Sequence, residues 1–141
     1  MAIWKTIATV DDLNDRGKGT ASDHIGIVFT EIGNDYVRAE MPITDKVKQP
    51  IGIMNGGISC LIAESVGSTA ANIAVDITKQ YCVGLDINTN HIRPASKGKV
   101  IATAQPIHIG QTTHVWSIEI HGDHGKLISI NRLTMAVKNR V

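Results

Sequence analysis

Gly56-Gly57-Ile58-Ser59-Cys60-Leu61-Ile62-Ala63-Glu64-Ser65-Val66-Gly67-Ser68-Thr69-Ala70-Ala71-Asn72-Ile73-Ala74-Val75 is the stretch that decides the fold. Its polar members are small: Ser59, Ser65, Ser68, Thr69 and Asn72. Glu64 is the one charge before Asp76. A helix that is apolar almost all round is buried rather than laid along a surface. Twenty residues in a helix span about 30 Å. The stretch therefore reads as one long central helix. Asn55 ahead of it is a favoured N-cap, and Gly56 and Gly57 let the backbone turn tightly into the first turn.

Outward from this helix the chain reads mostly as strands. On the N-terminal side, Thr9 is placed to cap a short helix that stops near Gly17, followed by a loop over Asp15 to Gly19. Ile25 to Ile32 reads as a strand, Gly33-Asn34-Asp35 as a hairpin turn, and Tyr36 to Met41 as a returning strand with alternating faces. On the C-terminal side, Tyr81–Arg93, Lys99–His108, Thr112–His121 and Leu127–Val137 alternate in the same way. Turn residues at Pro94–Gly98, Gly110–Gln111 and Gly122–Gly125 separate them. The expected class is α+β, with about six strands in a curved antiparallel sheet around the one long helix.

Composition narrows the function classes. A chain of 141 residues with 43% hydrophobic and 19% charged residues fits one domain over 1–141 with a full core. A net charge of +1 gives no field for nucleic acid or an anionic membrane, and 4% aromatic residues are too few for a base-stacking platform. Cys60 and Cys82 form no C-x-x-C pair, which points to reduced thiols in a cytoplasmic protein. The N-terminus lacks a basic start with a long apolar run, and no stretch reaches the length of a membrane span. His121 and His124 flank Asp123 in a Gly-rich turn, where polar residues are expected without a metal; no metal site is read here.

Glu64 carries the chemical interest. A carboxylate on a buried helix is costly unless it is paired or used. It reads either as half of an ion pair, for instance with a second subunit, or as an acid–base group. Ser68, four residues on, shares its face of the helix and reads more simply as a hydroxyl bonded back to the Glu64 carbonyl. The helix start offers unpaired N–H groups at the positive end of the dipole, suited to a developing oxyanion. From Gly56 to Glu64 is about 12 Å along a helix, too far for both to serve one acyl carbon. If both act on one carbonyl, they come from different subunits.

Lys48-Gln49-Pro50-Ile51-Gly52-Ile53-Met54-Asn55-Gly56-Gly57 followed by Ala63-Glu64-Ser65-Val66-Gly67-Ser68 resembles hotdog-fold acyl-CoA thioesterases. The similarity is to the bacterial branch acting on hydroxybenzoyl- and dihydroxynaphthoyl-type thioesters. It continues through Val83 to Arg93, Pro106 to Gly110 and Val115 to Ile120. The resemblance implies a hotdog fold, a dimer of hotdog units and a tetramer, an acyl-CoA substrate, and no cofactor, coenzyme A being part of the substrate. It implies Glu64 as base or nucleophile, Gly56 as oxyanion donor, and Gln49 and Asn55 beside the thioester carbonyl, with Ser68 near them. It places Gly84, His91, Ile92, Arg93, Pro94, His108, Ile109, Gly110, Gln111, Thr112 and Thr113 along the coenzyme A path. The branch usually has His where Asn55 stands. Asn donates a hydrogen bond and caps a helix, but does not titrate near neutral pH. A non-catalytic acyl-CoA-binding hotdog protein is the alternative reading, and a hotdog dehydratase a weaker one.

Overall fold

The computed structural model describes residues 1–141. In chain order it contains α1 (Val10–Gly17), α2 (Ala21–His24), β1 (Val28–Ile32), β2 (Val37–Pro42), a 3-10 turn (Asp45–Val47), α3 (Gly56–Ile73), β3 (Gln80–His91), β4 (Lys99–Ile109), β5 (Thr113–Gly122) and β6 (Leu127–Asn139). The strands form one antiparallel six-stranded sheet in the order β1-β2-β4-β5-β6-β3. This is the α+β hotdog architecture, a sheet curved around α3. The hairpins β1–β2, β4–β5 and β5–β6 follow the turn residues. β3 behaves differently: it leaves α3, crosses to the far edge and pairs with β6.

Alternation along the strands builds the core. Val37, Ala39 and Met41 of β2, Val100, Ala102 and Ala104 of β4, Trp116, Ile118 and Ile120 of β5, and Leu133 and Met135 of β6 are fully buried against α3. The small residues of α3 let the helix come close to the sheet. A Cβ on Gly67 would stand 2.7 Å from Leu133 Cδ2 and 3.0 Å from Ile118 Cδ1. Gly67→Val forces this packed layer apart and lowers stability by about 1–3 kcal/mol. The effect is read as a fall in the urea midpoint at unchanged slope, and an unmoved midpoint would contradict the close approach.

The ends of the elements explain where the structure departs from expectation. The strand expected from Ile25 begins at Val28, because Ala21–His24 forms a turn of helix and Gly26 adopts φ 85° at the bend. Helix α3 stops at Ile73 rather than Val75, and the N-terminal segment covers its end. Lys5 N and Thr6 N donate to Ile73 O, and Thr6 Oγ1 donates to Val75 O. Carbonyls left over at a helix end are thereby satisfied. Nor is α3 buried all round. Ser59, Ile62, Ala63, Val66, Gly67, Ala70, Ala71 and Ile73 are buried, while Leu61, Glu64, Ser65, Ser68, Thr69 and Asn72 form a half-buried outer face.

The two sheet edges are treated differently. On β1, Asn14 of α1 grips the outer backbone: its amide donates to Phe29 O at 3.0 Å and its Oδ1 accepts from Phe29 N at 2.8 Å. On β3, Asn72 of α3 does the same at Cys82, with bonds of 3.1 and 2.8 Å. Beyond Cys82 the edge of β3 is open, with no strand beside it. Leu85 there is 64% exposed. Long open edges of this kind invite a further strand.

Candidate active site

Asn55 begins the site. Its Oδ1 accepts from Gly57 N at 2.8 Å, capping α3 as expected and leaving its side-chain amide N–H groups for another partner. A Cβ on Gly56 would lie 3.0 Å from both Cε1 and Nε2 of His91, so the imidazole rests against the first residue of the helix. A side chain at this position would push the imidazole back by a few tenths of an ångström. Gln49 sits in the preceding loop, where its Oε1 accepts from Ile51 N. Gln49, Gly56, His91, Ile92, Arg93 and Pro94 line one cavity of about 380 Å³, together with Met54 and Ser59. Gln49 and Gly56, expected beside the thioester carbonyl, and His91 to Pro94, expected along the coenzyme A path, thus line one cavity within one chain. Arg93 spends one donor inside the chain, Nη1 to Leu127 O at 2.7 Å, and keeps its others free for an outside acceptor.

Glu64 is not in this cavity. It lies about two helical turns further along α3, with one carboxylate oxygen directed at Gly84 of β3. A Cβ on Gly84 would stand 2.3 Å from Glu64 Oε2 and 3.2 Å from its carboxyl carbon. The β3–β6 ladder shifts register between Gly84 and Asp86, so the strand bulges beside the carboxylate. No Lys, Arg or His of its own chain pairs with Glu64. Gly84, expected on the coenzyme A path, is here the floor on which Glu64 rests. Sequence reading missed this role because the bulge and the close approach arise from tertiary pairing.

The other expected residues fall elsewhere. Ser68 lines a groove between α3 and α1 with Arg16, Ser22, Ser65 and Thr69. Its hydroxyl does not bond back to Glu64; Thr69 Oγ1 makes that type of bond, to Ser65 O at 2.8 Å. His108, Ile109, Gly110, Gln111, Thr112 and Thr113 form the β4–β5 turn, closed by Gly110 N donating to Thr113 O at 2.9 Å. Within one chain they do not join His91–Pro94. Thr113 stands level with Ala136 of β6, whereas His91 pairs with Ser129. Seven residues of strand separate those levels, about 23 Å.

Met54 and Ser59 were not singled out by sequence. Ser59 could have been found from its spacing, since i, i+3 from Gly56 shares a helix face. Burial pushes the Cys82 thiol up to about 11, so it offers no thiolate near neutral pH. Cys60 donates to Thr89 Oγ1 at 3.3 Å, and both cysteines are free. His121 lies beside Glu119 at 3.7 Å and His124 beside Asp123 at 3.5 Å. No cluster of three or more His, Cys, Asp or Glu converges. No helix is long and apolar enough to cross a membrane.

Comparison with known proteins agrees with this geometry. The profile of the thioesterase superfamily matches residues 51–129, which spans the helix start, Glu64 and β3 to β5. The 1,4-dihydroxy-2-naphthoyl-CoA hydrolase of Escherichia coli is 41% identical over 96% of this chain and 98% of its own. The crystal structure of thioesterase HI1161 from Haemophilus influenzae superposes with a TM-score of 0.95 at 39% identity, covering 97% of this chain and 95% of that one. A mutant of thioesterase PA1618 from Pseudomonas aeruginosa superposes with a TM-score of 0.96 at 41% identity, covering 99% of this chain and 100% of that one. With the fold, the glycine-opened helix start and a match across the whole chain in agreement, the protein belongs to the thioesterase superfamily and is a thioester hydrolase.

Proposed function

We propose that the chain, as one hotdog unit over residues 1–141, hydrolyses an acyl-CoA thioester to the free acid and coenzyme A in a site shared by two copies. One observation carries this reading. Gly56 touches His91 and Glu64 touches Gly84, so the two halves of the site lie at opposite ends of one open strand edge. Two β3 strands pairing antiparallel, about a centre between Gly84 and His91, bring Glu64 of one copy beside Gly56 of the other. The 12 residues of β3 and the exposed Leu85 supply the edge for that pairing. Pairing also brings the β4–β5 turn of one copy towards His91–Pro94 of its partner, which unites the two separated groups along one coenzyme A path.

The chemistry follows from the parts. The thioester carbonyl oxygen accepts from Gly56 N–H, with the side chains of Gln49 and Asn55 beside it. Glu64 either takes a proton from water as the water oxygen joins the acyl carbon, or adds its own oxygen and is later freed by water. In both routes the C–S bond breaks and coenzyme A leaves as the thiol after taking a proton. The naphthoyl-CoA hydrolase among the relatives favours an aryl or other small acyl group.

Complementation tests the shared site. Glu64→Ala and Gly56→Val are each expected to lack thiol release from benzoyl-CoA. Co-expressed, they form mixed dimers in which one site has both Glu64 and Gly56 intact, and thiol release returns. Absence of release from the mixed dimers, with the wild type active, would place the whole site within one chain. Binding of benzoyl-CoA by the wild type without release would favour an acyl-CoA-binding protein instead.

A further inference from the structure

The open edge of β3 does not run the whole strand. At Cys82 the outward backbone is already occupied: Asn72 Oδ1 accepts from Cys82 N at 2.8 Å, and Asn72 Nδ2 donates to Cys82 O at 3.1 Å. The same amide donates to Ser68 O at 2.9 Å, so α3 holds it in place. A side-chain amide offers donor and acceptor as a peptide group does, and here it stands where a neighbouring strand would. The free edge therefore runs from Gly84 to His91, where β3 ends.

The faces of β3 fix which residues of two such edges can meet. Cys82, Gly84, Ile87, Thr89 and His91 face α3. Cys82 Sγ donates to Ala71 O, Gly84 lies beside Glu64, Ile87 packs on the core, Thr89 Oγ1 accepts from Cys60, and His91 lies on Gly56. The bulge between Gly84 and Asp86 accounts for the longer step from Gly84 to Ile87. Residues directly opposite in an antiparallel pair point to the same face. Two free edges then match in full with Asn88 opposite Asn88 of the partner subunit and Gly84 opposite His91 of the partner subunit. That register sets Glu64 beside Gly56 of the partner subunit. The next register that keeps the faces is centred on Ile87 and pairs Cys82 with His91 of the partner subunit. It makes a longer ladder and moves Glu64 about 7 Å along the strand, away from Gly56 of the partner subunit. Asn72 blocks it by holding Cys82.

We propose that Asn72 is a positioning residue for thioester hydrolysis: by closing β3 at Cys82 it fixes the register in which a second copy of this chain pairs and completes the site, a role that rests on the shared site proposed above.

Cysteine trapping on the full chain tests this role. Asn88 is exposed, and its Oδ1 accepts from Asn90 Nδ2 at 3.1 Å on the outer face. In the register centred on Asn88 the two Cα atoms at that position lie about 4.5–5.5 Å apart, within disulfide reach. In the slipped register they exceed the limit of about 7 Å. Asn88→Cys is expected to join two copies through the substituted position on mild oxidation, read from the linked peptide. Adding Asn72→Ala frees Cys82 for the longer ladder. The rate of linking and thiol release from benzoyl-CoA then both fall about tenfold, while the dimer persists. A merely structural Asn72 lowers the melting temperature and leaves the linking rate unchanged, which overturns the proposal. Absence of the link with Asn72 intact overturns it as well. Where Asn72→Ala does not fold, Asn72→Asp is read in the same way, since it keeps the acceptor for Cys82 N and loses the donor to Cys82 O. Release restored in mixed dimers of Glu64→Ala and Gly56→Val, with linking undiminished by Asn72→Ala, retains the shared site and removes Asn72 from it. A wild type or mixed dimers without release sink the shared site, while the link still decides the register.

Discussion

Glu64→Ala lowers the rate of thioester hydrolysis by about 10²–10⁴-fold, the range for removal of a positioned acid–base group. The variant keeps its fold and its assembly. The expectation rests on what surrounds Glu64. It is the single acidic residue of α3, and its own chain provides no cation to neutralise it. It sits on the half-buried outer face of the helix, beside the open edge of β3. A carboxylate kept there without a partner adds little to the stability of the chain, so its removal costs little in folding. Steady-state thiol release and thermal unfolding, measured together, separate the two effects. Unchanged turnover would remove Glu64 from the chemistry. Loss of assembly along with turnover would make Glu64 a structural ion-pair partner across the interface. In a single turnover in ¹⁸O-labelled water, label recovered in Glu64 marks nucleophilic attack, since only an anhydride opened at the Glu64 carboxyl carbon leaves a water oxygen there.

Gly84→Val gives the second large effect, and its signature is activity lost with stability retained. A Cβ at this position meets Glu64 Oε2 at 2.3 Å, a separation that packed atoms do not sustain. The atom it meets is the far end of a flexible side chain, so the carboxylate swings away and the backbone stays. A displacement of about 1 Å in a reacting group costs about 10²-fold in rate. The fall is expected in kcat, because the cavity at Gln49, Gly56 and His91 is untouched. Gly84→Ala produces a smaller loss in the same direction. Gly67 provides the contrast, since a side chain there meets the packed side chains Leu133 and Ile118 and stability falls instead. Full activity in Gly84→Val would show that the Glu64 carboxylate does not need its position against β3.

Much of the architecture was legible in the residues themselves. Asn55-Gly56-Gly57 marks the start of α3 within a residue, because capping and glycine flexibility are local effects. The capping box of Thr9 and Asp12 starts α1 for the same reason. Alternation placed β2, β4, β5 and β6, since a half-buried strand needs only a period of two. Local signals failed at Ile25, where Ile25 and Ile27, apolar residues that look like a strand, are buried from the bend after a helical turn, and along α3, whose small polar residues hide an outer face.

The sequence by itself determined the long small-residue helix, the hairpins around it, the Asn55-capped helix start at Gly56-Gly57 and the isolated charge at Glu64. Each of these follows from side-chain chemistry acting within a few residues. Only the tertiary structure decided that β3 crosses to the far edge beside β6, that Gly84 bulges under Glu64, that His91 closes on Gly56, and that Asn72 holds the outer edge of β3 at Cys82. Those contacts join residues far apart in the chain. They depend on which strand edge remains free after the core has closed, and no periodicity or local propensity encodes that outcome.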